Sequence, residues 1–352
     1  MSKSLKTLRH EIDSVNDSIL EMLNKRTVLI KEVVDLKDQT GSEYFDPERE
    51  TEMMENVLRK NSGPLYNDLI REAFGVIFST SLKYMGISYQ KKMLVSSSSD
   101  ECFKSIGEMF DLSSNGPIII AGPCAVETPE YLETVAKHLK DRNIKFIRAG
   151  AYKPRSSPYD FQGLKENGLK ILQDVTKRFG LFSVTEVVDT RDVDLVMQYV
   201  DILQIGARNM QNYELLKEVG KTDHPVLLKR GISATIQELM LAAEYIALKG
   251  NKKIILCERG IRTYETKTRN TLDISSIPII KNETHLPIIA DLSHSLGRKD
   301  IVKNIAKAVL SAGADGIMVE VHPIPELALS DSKQQLSLSE FDDLLDCISE
   351  WR

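Results

Sequence analysis

Residues 117–150, PIIIAGPCAVETPEYLETVAKHLKDRNIKFIRAG, hold two short apolar runs, PIIIAG and IKFIRAG, on either side of a helix-like segment. Runs of this kind between helical stretches read as buried parallel strands. The pattern continues through LFSVTEV (181–187), DILQIGA (201–207), PVLLKR (225–230), KIILCER (253–259), PIIADLS (287–293) and GIMVEV (316–321), making eight runs. Eight β-runs over about 240 residues suit a closed barrel better than an open sheet, so an α/β (β/α)8 TIM barrel is expected over 116–352. Polar residues stand at or just after the C-terminal ends of these runs: Cys124, Arg148, Glu186, Arg208, Lys229, Arg259, His294 and Glu320. In a TIM barrel that end carries the active site.

The chain ahead of the barrel reads differently. From Leu5 to about Leu36, apolar residues including Leu8, Ile12, Val15, Ile19, Leu23, Ile30 and Val33 recur at helical spacing without proline or glycine. DPERE restarts a helix, with Asp46 as N-cap and Pro47 at the first helical position, running to about Arg59. LYNDLIREAFGVIFSTSLKYMG makes a third helix to near Gly86. A small all-α domain is therefore expected over 1–87. Three helices are too few to bury the long one's stripe, so this domain is expected to dimerise. Residues 88–115, with the tract SSSSD, read as a linker with at most one short strand.

Of the 352 residues 42% are hydrophobic and 28% charged, which is globular composition, and a net charge of -5 argues against a general nucleic-acid or membrane-surface binder. No run reaches the roughly 18 to 20 apolar residues of a membrane span, and MSKSLKTLRHEID has no apolar signal core, so a cytoplasmic protein is expected. Cys102, Cys124, Cys257 and Cys347 form no C-x-x-C pair and are expected to be reduced.

Any basic cluster must then serve a local ligand. IRAGAYKPRSSPYDF (147–161) places Arg148, Lys153 and Arg155 within eight positions, stiffened by Pro154 and Pro158 and followed by Ser156 and Ser157. With Arg208, Lys229 and Arg259 these cations would meet at one barrel mouth, where guanidinium forks suit phosphate and carboxylate. For any one of them, pairing with a carboxylate such as Glu186 or Glu258 is the bland alternative. Cys124, His294 and Glu320, with Asp331 in the loop after the eighth run, offer a thiolate, imidazole and carboxylate set for a divalent metal. Taken singly, each has an ordinary structural reading.

AGPCAVET, RAGAYKPRSSPYDFQG, QIGARNMQN, LLKRG, CERG, ADLSHS and VEVHP together resemble the 3-deoxy-D-arabino-heptulosonate 7-phosphate (DAHP) synthase family, across nearly all of 116–331. The resemblance implies metal-dependent condensation of phosphoenolpyruvate with erythrose 4-phosphate at the entry to aromatic amino-acid synthesis. It implies Arg148, Lys153, Arg208, Lys229 and Arg259 on phosphoenolpyruvate, and Lys153, Pro154, Arg155 and Ser156 on erythrose 4-phosphate. Cys124, His294, Glu320 and Asp331 become metal ligands, and Lys153, Cys124 and His294 the catalytic set. Manganese is the first expectation, with iron, cobalt or zinc accepted by the same donors. The related synthase acting on arabinose 5-phosphate reads Lys-Ala-Asn-Arg-Ser where this chain has KPRSS, which favours the DAHP side. A Schiff-base aldolase using Lys229 or Lys153 is a further alternative class.

LRHEIDSVNDSIL, LNKR, DLK and DPERE resemble the all-helical chorismate mutase family, across residues 5–86. The match implies Arg9, Arg26, Lys37, Asp46, Arg49, Glu50 and Ser81 as a pocket for chorismate or prephenate. Arg26 and Lys37 are 11 residues apart and share a helix face about 16 Å apart. Arg9 lies about 25 Å from Arg26 along the helix, too far for one small ligand, and in this family the equivalent arginine enters from the partner chain. Met85 departs from the pattern, standing where a glutamine or glutamate usually donates to the breaking ether oxygen. Two expectations follow: mutase activity, with a regulatory binding module as the alternative, and feedback inhibition of the barrel. A homo-oligomer is expected, at least a dimer through the helical domain, with a tetramer as the alternative.

Overall fold

The structure is a computed structural model that describes residues 3–40, 47–90, 93–112, 116–155 and 157–351. It divides into two compact units, Met1–Lys92 and Met93–Arg352.

The first unit holds α1 (Leu5–Thr40), α2 (Pro47–Lys60) and α3 (Asn67–Gln90). Proline at the first position of α2 matches a fixed φ to a helix start, where its missing N–H is not needed. Asp46, expected to cap α2, lies outside the described residues. α1 is 36 residues long, and Val34 is the buried residue on it. Leu8, Ile12, Val15, Ile19, Leu23 and Val33 remain exposed within one chain. α3 packs against both α1 and α2.

The second unit is a closed barrel of eight parallel strands: β1 (Ile118–Gly122), β2 (Phe146–Arg148), β3 (Phe182–Glu186), β4 (Ile202–Ile205), β5 (Val226–Lys229), β6 (Ile254–Glu258), β7 (Ile288–Asp291) and β8 (Gly316–Glu320). Each pairs with the next, and β8 returns to β1 in the register Ile118↔Gly316 through Gly122↔Glu320. The eight apolar runs are these eight strands. Helices between them supply the outer layer and carry their own start signals, as at Pro129–Asp141, where the Thr128 hydroxyl accepts from Tyr131 N and proline follows it. Inside the barrel, Ile120, Phe146, Val184, Ile202, Leu227, Ile255, Ile289 and Met318 form a continuous apolar core with Cys257, whose burial raises its thiol far above the usual range.

Of the stretch read as a linker, residues 93–112 pack against the barrel unit. Leu94 N and Val95 N donate to the buried Glu244 carboxylate at 3.0 and 3.2 Å, and Met93 and Val95 are buried. A short helix, α4 (Ile106–Met109), follows, held by a capping box between Ser105 and Glu108. Ile106 joins the barrel core, with Met109, Phe110 and Leu112 packed against it, and the Phe110 ring meets Phe146 and Phe182 at 5.0 and 4.7 Å. Phe146 and Phe182 open β2 and β3, so α4 closes the N-terminal end of the barrel and the opposite end is left for chemistry. No described helix is long and apolar enough to cross a membrane.

Candidate active site

The C-terminal end of the barrel opens into a cavity of about 470 Å³ lined by Arg148, Lys153, Pro154, Arg155, Arg208, Lys229, Arg259, His294 and Asp331 among others. Strand ends deliver Arg148 and Lys229, and short turns just beyond β4, β6 and β7 deliver Arg208, Arg259 and His294. Ser156 lies outside the described residues.

Cys124 and Glu320 are both fully buried and meet residues that line the cavity, Cys124 Sγ with Lys153 and Glu320 with Arg148. Gly122 makes the turn out of β1 at φ 147, where a Cβ would strike the Arg148 carbonyl. Gln335 accepts from Cys124 N at 3.0 Å, and Ser293 accepts from Glu320 N at 2.8 Å. Asp331 comes from 11 residues further on. It reaches Glu320 because the chain turns back through a left-handed φ of 50° at Asp331 and pairs Leu336 N with Glu320 O.

Three of the four expected metal donors form one group, and His294 stands against two of them. Cys124 Sγ, Glu320 and Asp331 offer atoms all within 4.8 Å of one another, and His294 Nε2 stands 3.4 Å from Glu320 Oε1 and 3.8 Å from Asp331 Oδ2. Donors bonded to one ion at about 2.0 to 2.3 Å stand roughly 3.3 to 3.8 Å apart around a tetrahedron. The residues present fit a divalent ion, with one sulfur, one nitrogen and two carboxylates as its donors.

Asp291 is a member that the motif reading missed. It caps the turn Leu292–Leu296, accepting from His294 N at 3.0 Å, and its Oδ2 lies 2.8 Å from His294 Nδ1, off line for a hydrogen bond. That contact sets the Nδ1 edge of the ring against Asp291 and leaves Nε2 on the side of Glu320 and Asp331, the edge a histidine ligand would present. Asp291 also pairs with Lys229. Burial works to raise its carboxyl, but His294 and Lys229 hold it well below the usual carboxylate range. Burial lowers His294, which favours the neutral imidazole a metal needs. Burial pushes the Cys124 thiol up to about 11, Glu320 adding to it and Lys153 and Arg148 opposing, so ligation must displace a proton. Asp331 is held at about 2 by Arg269, His294 and Lys153 against the effect of burial.

The cations differ in how they are satisfied. Arg148 donates to Glu320 Oε1 at 2.6 Å and Lys229 pairs with Asp291. Glu258 serves Arg230, at 2.8 Å, rather than any cavity cation. Lys153 Nζ meets Cys124 Sγ at 3.0 Å and Cys124 O at 3.1 Å, and Arg259 meets only backbone oxygens, His294 O at 3.2 Å and Gly260 O at 3.4 Å. Lys153, Arg208 and Arg259 thus have no carboxylate within ion-pair distance among the described residues. Burial and the neighbouring Arg269 lower Arg259 even though Asp291 draws it up. Glu186 faces this group. Burial raises its carboxyl despite Lys153, Lys229, Arg148 and Arg208, and Gly206 has no side chain because a Cβ there would collide with that carboxylate.

Arg269, Gln334 and Ser330 were also missed. Arg269 donates to Asp331 Oδ2 at 3.2 Å and Gln334 Oε1 at 2.8 Å, while Gln334 Nε2 donates to Glu320 Oε2 at 2.5 Å. These are loop residues in no recognisable pattern; their only signal was nearness in sequence to Asp331 and Arg259.

In the helical unit, Arg26 donates to Ser81 and lies over the Phe78 ring at 5.4 Å. Lys37 is half-buried on the same helix as Arg26, and Arg49 is exposed, 2.5 Å from Glu52. Arg9 is exposed near the start of α1. Asp46 and the side chain of Glu50 lie outside the described residues. Met85 is half-buried on α3.

Fold and site define a TIM-barrel enzyme with a cation-rich mouth over a metal-ready cluster. Residues 111–351 match the model of the DAHP synthetase I family, and residues 8–86 that of chorismate mutase type II. A phospho-2-dehydro-3-deoxyheptonate aldolase of Thermotoga maritima is 56% identical over 227 residues, 64% of this chain and 67% of the relative. A 2-dehydro-3-deoxyphosphooctonate aldolase of Acidithiobacillus ferrooxidans is 30% identical over 245 residues, 64% and 86% of the two chains. Among solved structures, a DAHP synthase from Thermotoga maritima is 52% identical with a TM-score of 0.65, covering 67% of this chain and 69% of its own. A truncated form of the synthase from that organism is 47% identical with a TM-score of 0.66, covering 73% and 95%. The chain belongs to the DAHP synthetase I family and carries an N-terminal chorismate mutase type II domain.

Proposed function

We propose that the barrel condenses phosphoenolpyruvate with erythrose 4-phosphate, and that Lys153, Arg208 and Arg259, with Arg148 and Lys229, receive the phosphate and carboxylate of phosphoenolpyruvate. The observation that carries this reading is that Lys153, Arg208 and Arg259 line the cavity without a carboxylate partner among the described residues, as Arg262 does, beside the cluster of expected metal donors. Such charge in a confined site asks for anions that arrive with the substrate. Arg155, with Pro154 and Ser156 beside it, takes the phosphate of erythrose 4-phosphate.

Cys124, His294, Glu320 and Asp331 would hold a divalent ion, manganese first. When bound, it supplies Lewis acidity toward the aldehyde. Lys153, beside Cys124, points its ammonium at the same place and is positioned to give a proton to the aldehyde oxygen as C3 of phosphoenolpyruvate bonds to the aldehyde carbon. Glu186, kept basic enough by burial, is placed to take the proton of the water that adds at C2; the phosphate then departs with its bridging oxygen.

The helical unit is proposed to convert chorismate to prephenate in a pocket of Arg26, Lys37, Asp46, Arg49, Glu50 and Ser81, completed by Arg9 of a second copy. The exposed apolar stripe of α1 supports a dimer through this unit. Prephenate, and chorismate more weakly, are proposed to inhibit condensation from this pocket. Both barrel substrates are phosphorylated and do not cross membranes unaided, which supports a cytoplasmic setting. The domain division proposed is a helical unit to about residue 90 and a barrel unit that starts at Met93.

The test is phosphoenolpyruvate consumption with erythrose 4-phosphate against arabinose 5-phosphate, with and without chelator. Turnover only with the four-carbon sugar, abolished by chelation, is expected; equal use of both sugars would overturn the substrate assignment. Arg155→Ala should raise KM for erythrose 4-phosphate about 10- to 100-fold with little change for phosphoenolpyruvate, since one charge-assisted contact is lost.

A further inference from the structure

Ser330 stands at a junction that this reading does not use. Its side chain is buried, and Oγ lies 2.7 Å from Arg155 Nη1 and 3.2 Å from Cys124 Sγ. Its position is set from behind. Ser330 O accepts from Gln335 Nε2 at 2.8 Å, and the same amide, fully buried, accepts from Cys124 N at 3.0 Å. A hydroxyl has one proton and two lone pairs. Arg155 can only donate, so it occupies one lone pair; the neutral Cys124 thiol donates to the other, and the hydroxyl proton turns to the sulfur when Cys124 is a thiolate. The other donor at that sulfur is Lys153, at 3.0 Å. Both donors therefore trace to the loop 153–155, one directly and one through Ser330.

We propose that Ser330 is a positioning residue that couples the loop holding the aldehyde substrate's phosphate to the Cys124 sulfur, steadying Arg155 and passing its charge onto the thiolate. The inference rests on Cys124 as a metal ligand and Arg155 as a phosphate contact. Hydrogen bonds in a chain polarise one another, and a hydrogen bond to a ligating sulfur lowers its donor strength. A substrate phosphate that recruits Arg155 draws it from Ser330, and the sulfur then donates more strongly.

The experiment is the thiolate-to-metal charge-transfer absorption of the full chain loaded with Co(II), recorded without substrates. Ser330→Ala should move the band to longer wavelength, because the lone pairs of a sulfur without that hydrogen bond lie higher. Arg155→Ala should move it the same way by less, and Ser330→Thr, which keeps a hydroxyl, should leave it in place. Ser330→Ala should also raise KM for erythrose 4-phosphate several-fold without changing that for phosphoenolpyruvate. A band of wild-type intensity that neither Ser330→Ala nor Arg155→Ala moves overturns the coupling and leaves the metal reading standing. A wild-type protein with no thiolate band, or one whose band survives Cys124→Ser, overturns both. Arg155 is only partly buried, so its variant reads the same band even if the buried serine proves intolerant of change.

Discussion

In the barrel unit, each strand contributes side chains buried within a single chain, from Ile120 and Phe146 round to Ile289 and Met318. In α1, Val34 is the buried residue, while Leu8, Ile12, Val15, Ile19 and Leu23 lie exposed along the same helix. The difference lies in closure. A barrel returns on itself, so every strand finds two neighbours and an interior. Three helices have no such closure, and the long one is left with an uncovered stripe. The proposed chemistry divides in the same way. The barrel brings its cations and candidate metal donors together within one chain, whereas the proposed mutase pocket would take Arg9, about 25 Å away along its own helix, from a second copy.

That contrast can be broken most sharply at the barrel floor. Cys124→Ala, or chelation of the wild-type protein, should lower condensation by at least about 1,000-fold, since several kcal/mol of charge stabilisation leaves with the ion. Mutase turnover in the same sample should be unchanged. A loss of both would mean that the two regions do not work independently.

A second test asks whether the helical pocket is shared. Arg9→Ala and Arg26→Ala should each lower mutase activity about 10- to 100-fold, as one charge-assisted contact is lost. Mixing the two variants after unfolding and refolding should restore part of it, because one pocket of a mixed dimer receives both arginines. No recovery would place the whole pocket in one chain.

The third concerns where the barrel begins. A chain starting at Ser88 should condense its substrates, resist urea as the whole barrel does and ignore prephenate. A chain starting at Gly116 loses α4 and should unfold at clearly lower urea. Ile106→Ala in the full chain, at a buried site in the barrel core, should cost about 2 to 5 kcal/mol in the same measurement. If the two truncations melt together, the packing of 93–112 contributes nothing. Inhibition of the Ser88 chain at unchanged prephenate concentration would remove the helical unit as the sensor.

The smallest effect is expected at Met85. Met85→Gln supplies a donor on α3 and should raise mutase kcat by no more than about tenfold, the worth of one hydrogen bond. An unchanged kcat would show that another α3 residue already donates there or that the family's donor aligns with a position other than Met85.

Much of the barrel was legible because parallel strands buried on both faces leave continuous apolar runs, and because strand ends on one side must share a mouth. Arg148, Lys229 and Glu320 could be grouped on that ground alone. The role of 93–112 was hidden by its composition. Serines and charges dominate the stretch, and the few residues that count, Val95, Ile106 and Phe110, are too widely spaced to form a period.

By itself, the amino-acid sequence determined eight β-runs, three front helices and the chemical types at the barrel mouth, since these follow from local periodicity and from which residues end each strand. Only the tertiary structure decided which carboxylate faces which cation. Asp291 rather than Glu258 meets Lys229, Glu320 meets Arg148, and Lys153, Arg208 and Arg259 are left without a carboxylate partner among the described residues. It also brought Ser330, Asp331, Gln334 and Gln335 back over Cys124, more than 200 residues earlier in the chain. The reason is geometric. Strand periodicity is a property of neighbours in sequence, whereas the pairing of charges depends on loop paths that close across the barrel and on which side chain fills the space between two strand ends.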